Sequence, residues 1–177
     1  MVTAVDDAVK QYRVMNWLDR VRRVHNRLAT VHDLLVELDA AADGIKCARI
    51  REDGVRISYT PDKIGAMLAK CEEKRAELES EEERLETIVR DAARVLSCAW
   101  SAHPDVADPA FAYVLAVYGE GKQPVDAARE CGTTTWGAKL YPRKVASMIY
   151  DTFPERFPPT MAEKTAEKPY GYWRYVK

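Results

Sequence analysis

Residues 14–38 of the chain read VMNWLDRVRRVHNRLATVHDLLVEL, and the spacing of their apolar side chains decides the fold. These side chains recur in steps of three and four, at Val14, Leu18, Val21, Val24, Leu28, Val31, Leu35 and Leu38. Such steps place side chains on one face of an α-helix and approximate the 3.5-residue repeat of coiled coils. We therefore predict a long amphipathic helix over about residues 5–42, with Gly44 as its carboxyl-terminal cap.

A second stripe of the same kind occupies about residues 61–100, where Pro61 suits the first position of a helix. Its members are Ile64, Leu68, Cys71, Leu78, Leu85, Val89, Ala92, Leu96 and Ala99, with Arg75 and Glu82 in two gaps. Two long stripes joined by a short connection predict an antiparallel helical hairpin. Within the connection, Asp53-Gly54 lies between strand-forming residues and predicts a short β-ribbon over 48–59, or an ordered loop.

The remainder of the chain has short helical segments separated by proline and glycine. We predict helices over about 109–118, 124–130 and 135–150, forming a small module over residues 104–153. Residues 154–177 contain four prolines and end in an aromatic cluster, which predicts an extended tail. The expected fold is therefore all-α: a helical hairpin over 1–103, the module over 104–153 and the tail over 154–177.

Composition and motifs exclude several classes of protein. The chain has 177 residues, 47% hydrophobic residues and a formal net charge of -1, which fits a globular protein and excludes a uniformly basic one. Its amino terminus lacks a signal-peptide pattern, and no stretch is apolar for long enough to cross a membrane. Four scattered cysteines without a CxxC pair predict reduced thiols in a cytoplasmic protein. We find no motif for a metal, a cofactor or a catalytic group, and expect a protein that is not an enzyme.

Residues 124–141, PVDAARECGTTTWGAKLY, have the pattern of a helix-turn-helix motif. Ala128 supplies the small residue needed where two helices cross closely, and Gly132 supplies a residue that tolerates a left-handed turn. Ala127, Cys131, Ala138 and Tyr141 fall at the positions that face inward. Thr134 or Thr135 can cap the second helix, whose amino-terminal end would point at double-stranded DNA.

The charge distribution agrees with a DNA-binding module. Residues 122–150 carry five basic and two acidic residues, a net charge of +3, whereas residues 61–100 carry seven basic and ten acidic residues, a net charge of -3. The expected readers of base edges are Thr134, Thr135, Trp136 and Lys139, and the expected phosphate ligands are Lys122, Arg143 and Lys144. Gly137 weakens the second helix by about 1 kcal/mol, and Pro142 kinks or ends it.

In the order of its parts the chain resembles the phage-encoded ArpU/RinA-like transcription regulators. The similar parts span about residues 11–150: they are Gln11-Tyr-Arg, Asp62-Lys-Ile-Gly-Ala66, Phe111-Ala-Tyr-Val-Leu-Ala-Val-Tyr118, Gly121-Lys122 and the turn over 128–132. The resemblance implies a DNA-binding domain similar to region four of sigma factors, and therefore a phage or prophage regulator. The chain differs from the family at Gln123-Pro-Val-Asp126, at Pro142 and in its proline-rich tail.

An alternative function remains open from the residues alone, because short helices joined by a glycine turn are common in proteins that never bind DNA. In that case the hairpin binds host RNA polymerase or another host or phage protein, and the helix-turn-helix is only scaffold. An adaptor or an inhibitor of a host system would have this organisation.

The hairpin also predicts self-association. Besides its seam it carries a second apolar strip, composed of Trp17, Val24, Met67, Ile88 and Val95. A strip of this kind is unfavourable in water and commonly marks an interface. We expect a homodimer that brings two modules to two half-sites of DNA, unless the carboxyl-terminal module folds back over the strip within one chain.

Overall fold

The computed structural model describes residues 6–48, 61–103 and 109–159, and the side chains of all of these except 45–48, 61 and 62. Within these ranges the fold is all-α, as predicted, and no strand occurs. The helices are α1 (Asp7–Ala48), α2 (Pro61–Ala102), α3 (Pro109–Val114), α4 (Pro124–Glu130), α5 (Thr135–Ala138) and α6 (Tyr141–Thr152). A π-helical turn, Leu115–Gly119, extends α3, and a 3₁₀ turn, Pro154–Arg156, follows α6. The β-ribbon predicted over 48–59 lies outside the described residues, apart from its first residue, which ends α1.

Both apolar stripes form the buried faces of long helices, which confirms the helical hairpin. On α1, Val14, Leu18 and Val31 are fully buried, and no member of the stripe is exposed. On α2, Leu78, Leu85 and Leu96 are buried in the same way. The prediction that Gly44 ends the first helix is wrong, because α1 continues to Ala48. A lone glycine costs a helix only about 1 kcal/mol, which a helix of 42 residues tolerates.

The chain divides into two compact units, and α1 and α2 each contribute to both. The first unit comprises Met1–His25 and Ile88–Lys177, and the second comprises Asn26–Thr87. These limits differ from a division at residue 103, because the first turns of α1 and the last turns of α2 share one apolar core with the helices of the module. The predicted limits at 1–103, 104–153 and 154–177 therefore describe only the order of the elements along the chain.

In the second unit, ion pairs join the exposed edges of the two antiparallel helices. The guanidinium of Arg27 donates to both carboxylate oxygens of Glu81, at 2.8 and 2.9 Å. Arg75 pairs with Asp39, so a charge that interrupts the second stripe has a partner on the first helix. The hydrogen bond from Arg27 lowers the pKa of the Glu81 carboxyl. Both pairs connect α1 with α2, and exposed pairs of this kind contribute little to stability.

The core of the first unit is built from α1, α2 and the short helices. Phe111 is 1% exposed, and its ring stacks on that of Trp100 with centroids 6.4 Å apart. Trp17 packs edge-on against Phe157 at 5.6 Å, and Val95 is 2% exposed. The prediction that Trp17 and Val95 belong to an exposed strip is therefore wrong, because the carboxyl-terminal segment supplies apolar neighbours within one chain. Met67 and Ile88 are exposed, as predicted.

The segment between the π-helical turn and α4 depends on glycine at residue 121. Gly121 has a φ of +73°, a backbone conformation that other residues adopt only at a cost. A Cβ atom there would lie 2.6 Å from Nδ1 of His25, whose other ring nitrogen donates to the carbonyl of Tyr118 at 2.9 Å. Backbone strain and steric exclusion therefore both select glycine.

We expect Gly121→Ala to lower the free energy of unfolding by about 1–3 kcal/mol, measured by urea denaturation followed by circular dichroism. The matched control is Gly65→Ala, since Gly65 lies within α2 and a Cβ atom there meets nothing within 4 Å. That change should stabilise the protein by about 0.5–1 kcal/mol. Equal effects of the two substitutions would contradict the role of Gly121.

Candidate nucleic-acid interface

Helix α4, the turn after it and α5 form the helix-turn-helix that the sequence predicts. Helix α4 has the predicted bounds, Pro124–Glu130, and its Ala127 and Ala128 are at most 1% exposed. Gly132 adopts a φ of +66°, which confirms the left-handed turn. Ala138 is fully buried, and Cys131 and Tyr141 are half-buried against the core. Small residues thus allow the two helices to pack closely, as the motif requires.

The second helix of the motif is not continuous from Thr135 to Tyr150, and this part of the prediction is wrong. Helix α5 is a single turn of four residues, and α6 begins at Tyr141. Pro142 has no N–H to donate to the carbonyl of residue 138, and its ring crowds that carbonyl. The intervening turn tightens instead: the N–H groups of Lys139 and Leu140 donate to the carbonyls of Trp136 and Gly137, both at 3.3 Å.

The backbone nevertheless winds in the same direction through this break. Lys139 has φ -59° and ψ -22°, and Leu140 has φ -86° and ψ -18°, both in the right-handed helical region. The N–H of Lys144 then donates to the carbonyl of Leu140 at 3.1 Å, which restores the α-helical pattern. Residues 135–152 therefore form a helical path with one tightened turn, in which side chains three apart are aligned.

The predicted base readers lie on the exposed side of this path. The hydroxyl of Thr134 accepts a hydrogen bond from the N–H of Gly137 at 3.1 Å, so Thr134 is the cap. Thr135 and Lys139 are exposed, and Trp136 is 77% exposed. Leu140, which the sequence analysis did not single out, is 49% exposed.

Basic side chains of the first half of the motif are paired with carboxylates. The ammonium of Lys122 lies 2.7 Å from Glu130 and 3.2 Å from Glu120, and the hydrogen bond to Glu130 raises the pKa of Lys122. Arg129 lies 3.4 Å from Asp126. The ammonium of Lys122 must therefore leave Glu130 and Glu120 before it can bind a DNA phosphate.

The second half of the motif contains basic residues and no acidic residue. No aspartate or glutamate occurs between Glu130 and Asp151, whereas Lys139, Arg143 and Lys144 fall in that interval. Lys139 and Lys144 are exposed and Arg143 is partly buried. The ammonium of Lys144 lies 5.5 Å from the centroid of the Tyr141 ring, a cation–π contact. Three of the predicted site residues thus belong to one acid-free segment of the sequence.

Contacts at the far end of α6 fix the module within the first unit, and the sequence analysis missed them. The guanidinium of Arg156 forms two hydrogen bonds with Asp91 of α2. Lys10 of α1 lies 2.8 Å from Asp151, and Arg13 donates to the hydroxyl of Tyr150 at 3.1 Å. These partners are 65 to 141 residues apart in the chain, so no local sequence pattern could predict their contacts.

Other kinds of site receive no support from the residues that the structure describes. Within these residues, no three histidine, cysteine or acidic side chains gather in a way that could hold a metal ion. Burial raises the pKa of the Cys131 thiol, as expected for a packing residue rather than a nucleophile. A cavity of about 230 Å³ in the first unit is lined by Arg13, Asn16, Arg20, Phe157, Pro158 and Pro159.

None of the helices in the described part of the chain combines the length and apolarity needed to cross a membrane. Comparison of the chain with known protein families, with curated proteins and with solved structures finds no match.

Proposed function

We propose that this protein is a DNA-binding transcription regulator of phage or prophage origin that acts by binding alone, in the cytoplasm. The observation that carries the proposal is the separation of charge within the helix-turn-helix. The carboxylates of its first half lie beside Lys122 and Arg129, and the twenty residues from Cys131 to Tyr150 contain only basic charges. An exposed positive segment on a helix-turn-helix is the electrostatic footprint of duplex binding.

The predicted residues would have different roles in the proposed complex. Thr134 caps the first turn, and the exposed side chains of Thr135, Trp136 and Lys139 would face the major groove. Lys144 and Arg143 lie one to two turns further along, where phosphates of the groove edge pass. Since α5 is a single turn, base contacts are confined to a few residues, and phosphate contacts supply most of the affinity.

The test is a fluorescence anisotropy titration of a mixed-sequence duplex of about three helical turns, between about 50 and 200 mM salt. Binding should weaken steeply as salt rises, with a slope of about 0.9 for each phosphate contact that the protein makes. Absence of binding at micromolar protein, or binding that does not respond to salt, would refute the proposal.

We also propose that the protein forms a homodimer through the second unit. There Leu34, Val36 and Met67 are 38%, 59% and 45% exposed on the two long helices. Exposed apolar side chains on a helical hairpin favour association with another copy. A dimer would present two helix-turn-helix modules to two half-sites of one duplex.

Light scattering over a concentration series measures this assembly directly, and we expect a mass of two chains for the unmodified protein. The double variant Val36→Glu and Met67→Glu should shift the mass toward one chain, since each glutamate would bury a charge at the interface. Val125→Glu is the control: Val125 is 53% exposed on α4, which belongs to the first unit, and its replacement should leave the dimer intact. A mass of one chain at every concentration, up to tens of micromolar, would exclude self-association.

A second candidate function has one observation in its favour. Leu34, Val36 and Met67 are large, apolar and exposed on the helical hairpin, as in surfaces that dock a protein. In this alternative the chain is an adaptor or inhibitor that binds host RNA polymerase or another host or phage protein. Replacement of Lys139 by glutamate should spare such binding while it weakens DNA binding, so one variant distinguishes the two functions.

A further inference from the structure

Trp136 and Leu140 are large apolar side chains that stay exposed in the described part of the chain. Trp136 is 77% exposed and Leu140 is 49% exposed, whereas Ala138 between them is fully buried. They lie at the two ends of the tightened turn, four residues apart in the chain. Two large apolar side chains exposed in one short segment are unfavourable in water unless a partner covers them.

The charges around this pair indicate what covers it. Lys139 lies between the two apolar residues in the chain, and Arg143 and Lys144 follow three and four residues after Leu140. The segment has no carboxylate. A partner must therefore combine negative charge at its rim with an apolar feature at its centre.

The major groove of duplex DNA has that combination. Phosphates border the groove on both sides, and the C5-methyl group of thymine is the apolar feature of its floor. The indole N–H of Trp136 is in addition a donor that suits the acceptors beside that methyl group.

We propose that Trp136 and Leu140 form an apolar reader of thymine methyl groups and give the protein a preference for thymine-containing sites. This inference rests on the proposed DNA binding and adds the chemical feature that is recognised. The contact is made by exposed side chains of the helical path, and it does not depend on a long recognition helix.

The test compares duplexes that differ only in the methyl group. Alternating A·T polymer is compared with alternating A·U polymer, which lacks the methyl, and alternating G·C polymer is compared with its 5-methylcytosine form, which gains one at the same place. For the unmodified protein we expect each methyl contact to raise affinity about threefold to fivefold, the value of one buried methyl group. Trp136→Ala and Leu140→Ala should each reduce this ratio toward one, with unchanged salt dependence and unchanged melting temperature.

Val125→Ala is the matched control, because Val125 is also exposed and apolar but lies on α4; it should retain the full methyl preference. Salt-dependent binding with equal affinity for methylated and unmethylated duplexes would overturn the inference while leaving the proposed function intact. Absence of salt-dependent binding to any duplex would overturn both. Tighter binding to the single strands than to the duplexes would also overturn it, since base stacking on Trp136 would then explain the exposed ring.

Discussion

The double substitution Lys139→Glu and Lys144→Glu is expected to weaken binding to duplex DNA on the order of a hundredfold near physiological salt. Both side chains are exposed and both belong to the acid-free segment from Cys131 to Tyr150. Each replacement removes a cation that would displace a counterion and adds a charge that the phosphates repel. The slope of affinity against salt should therefore fall by about two.

The control for this experiment is Lys63→Glu with Lys70→Glu, which changes the net charge by the same amount. Lys63 and Lys70 are exposed on α2 within the second unit, outside the helix-turn-helix. If DNA binds to the module alone, the affinity of this control for DNA should fall only slightly, because of the change in net charge. Equal losses in the two double variants would mean that overall charge, rather than the helix-turn-helix, determines binding.

Phe111→Ala is expected to have the largest effect on stability, with a loss of about 3–5 kcal/mol in the free energy of unfolding. Phe111 is 1% exposed and stacks on Trp100 in the core of the first unit. Its truncation removes buried apolar surface and leaves a cavity that the surrounding helices fill only in part. A loss of this size is comparable with the whole stability of a small domain.

Urea denaturation followed by circular dichroism measures this loss, and Trp136→Ala provides the aromatic control. Because Trp136 is 77% exposed, its truncation should change stability by no more than about 0.5 kcal/mol. Similar losses for the two variants would show that the ring of Trp136 is covered in solution, and would contradict the exposed interface described above.

Elements that depend on local patterns could be predicted from the amino-acid sequence. The two stripes of α1 and α2 follow from steps of three and four residues, since helical geometry places such residues on one face. Helix α4 and its turn follow from Pro124 and Gly132, because proline favours the start of a helix and glycine tolerates a positive φ. The break before α6 follows from the missing N–H of Pro142. The extent of this break, which reduces α5 to one turn, could not be predicted from the proline alone.

Only the tertiary structure decided which surfaces are covered and which charges are paired. Trp17 and Val95 carry the same apolar signal as Met67 and Ile88, yet the first two are packed in the core and the last two are exposed. Lys122 and Lys139 are equally basic in the sequence, but the carboxylates of Glu130 and Glu120 lie 2.7 and 3.2 Å from the ammonium of Lys122, whereas Lys139 belongs to the acid-free segment. The physical reason is that burial and ion pairing depend on contacts between residues far apart in the chain, such as Arg156 and Asp91. The short-range spacing of residues carries no information about such contacts.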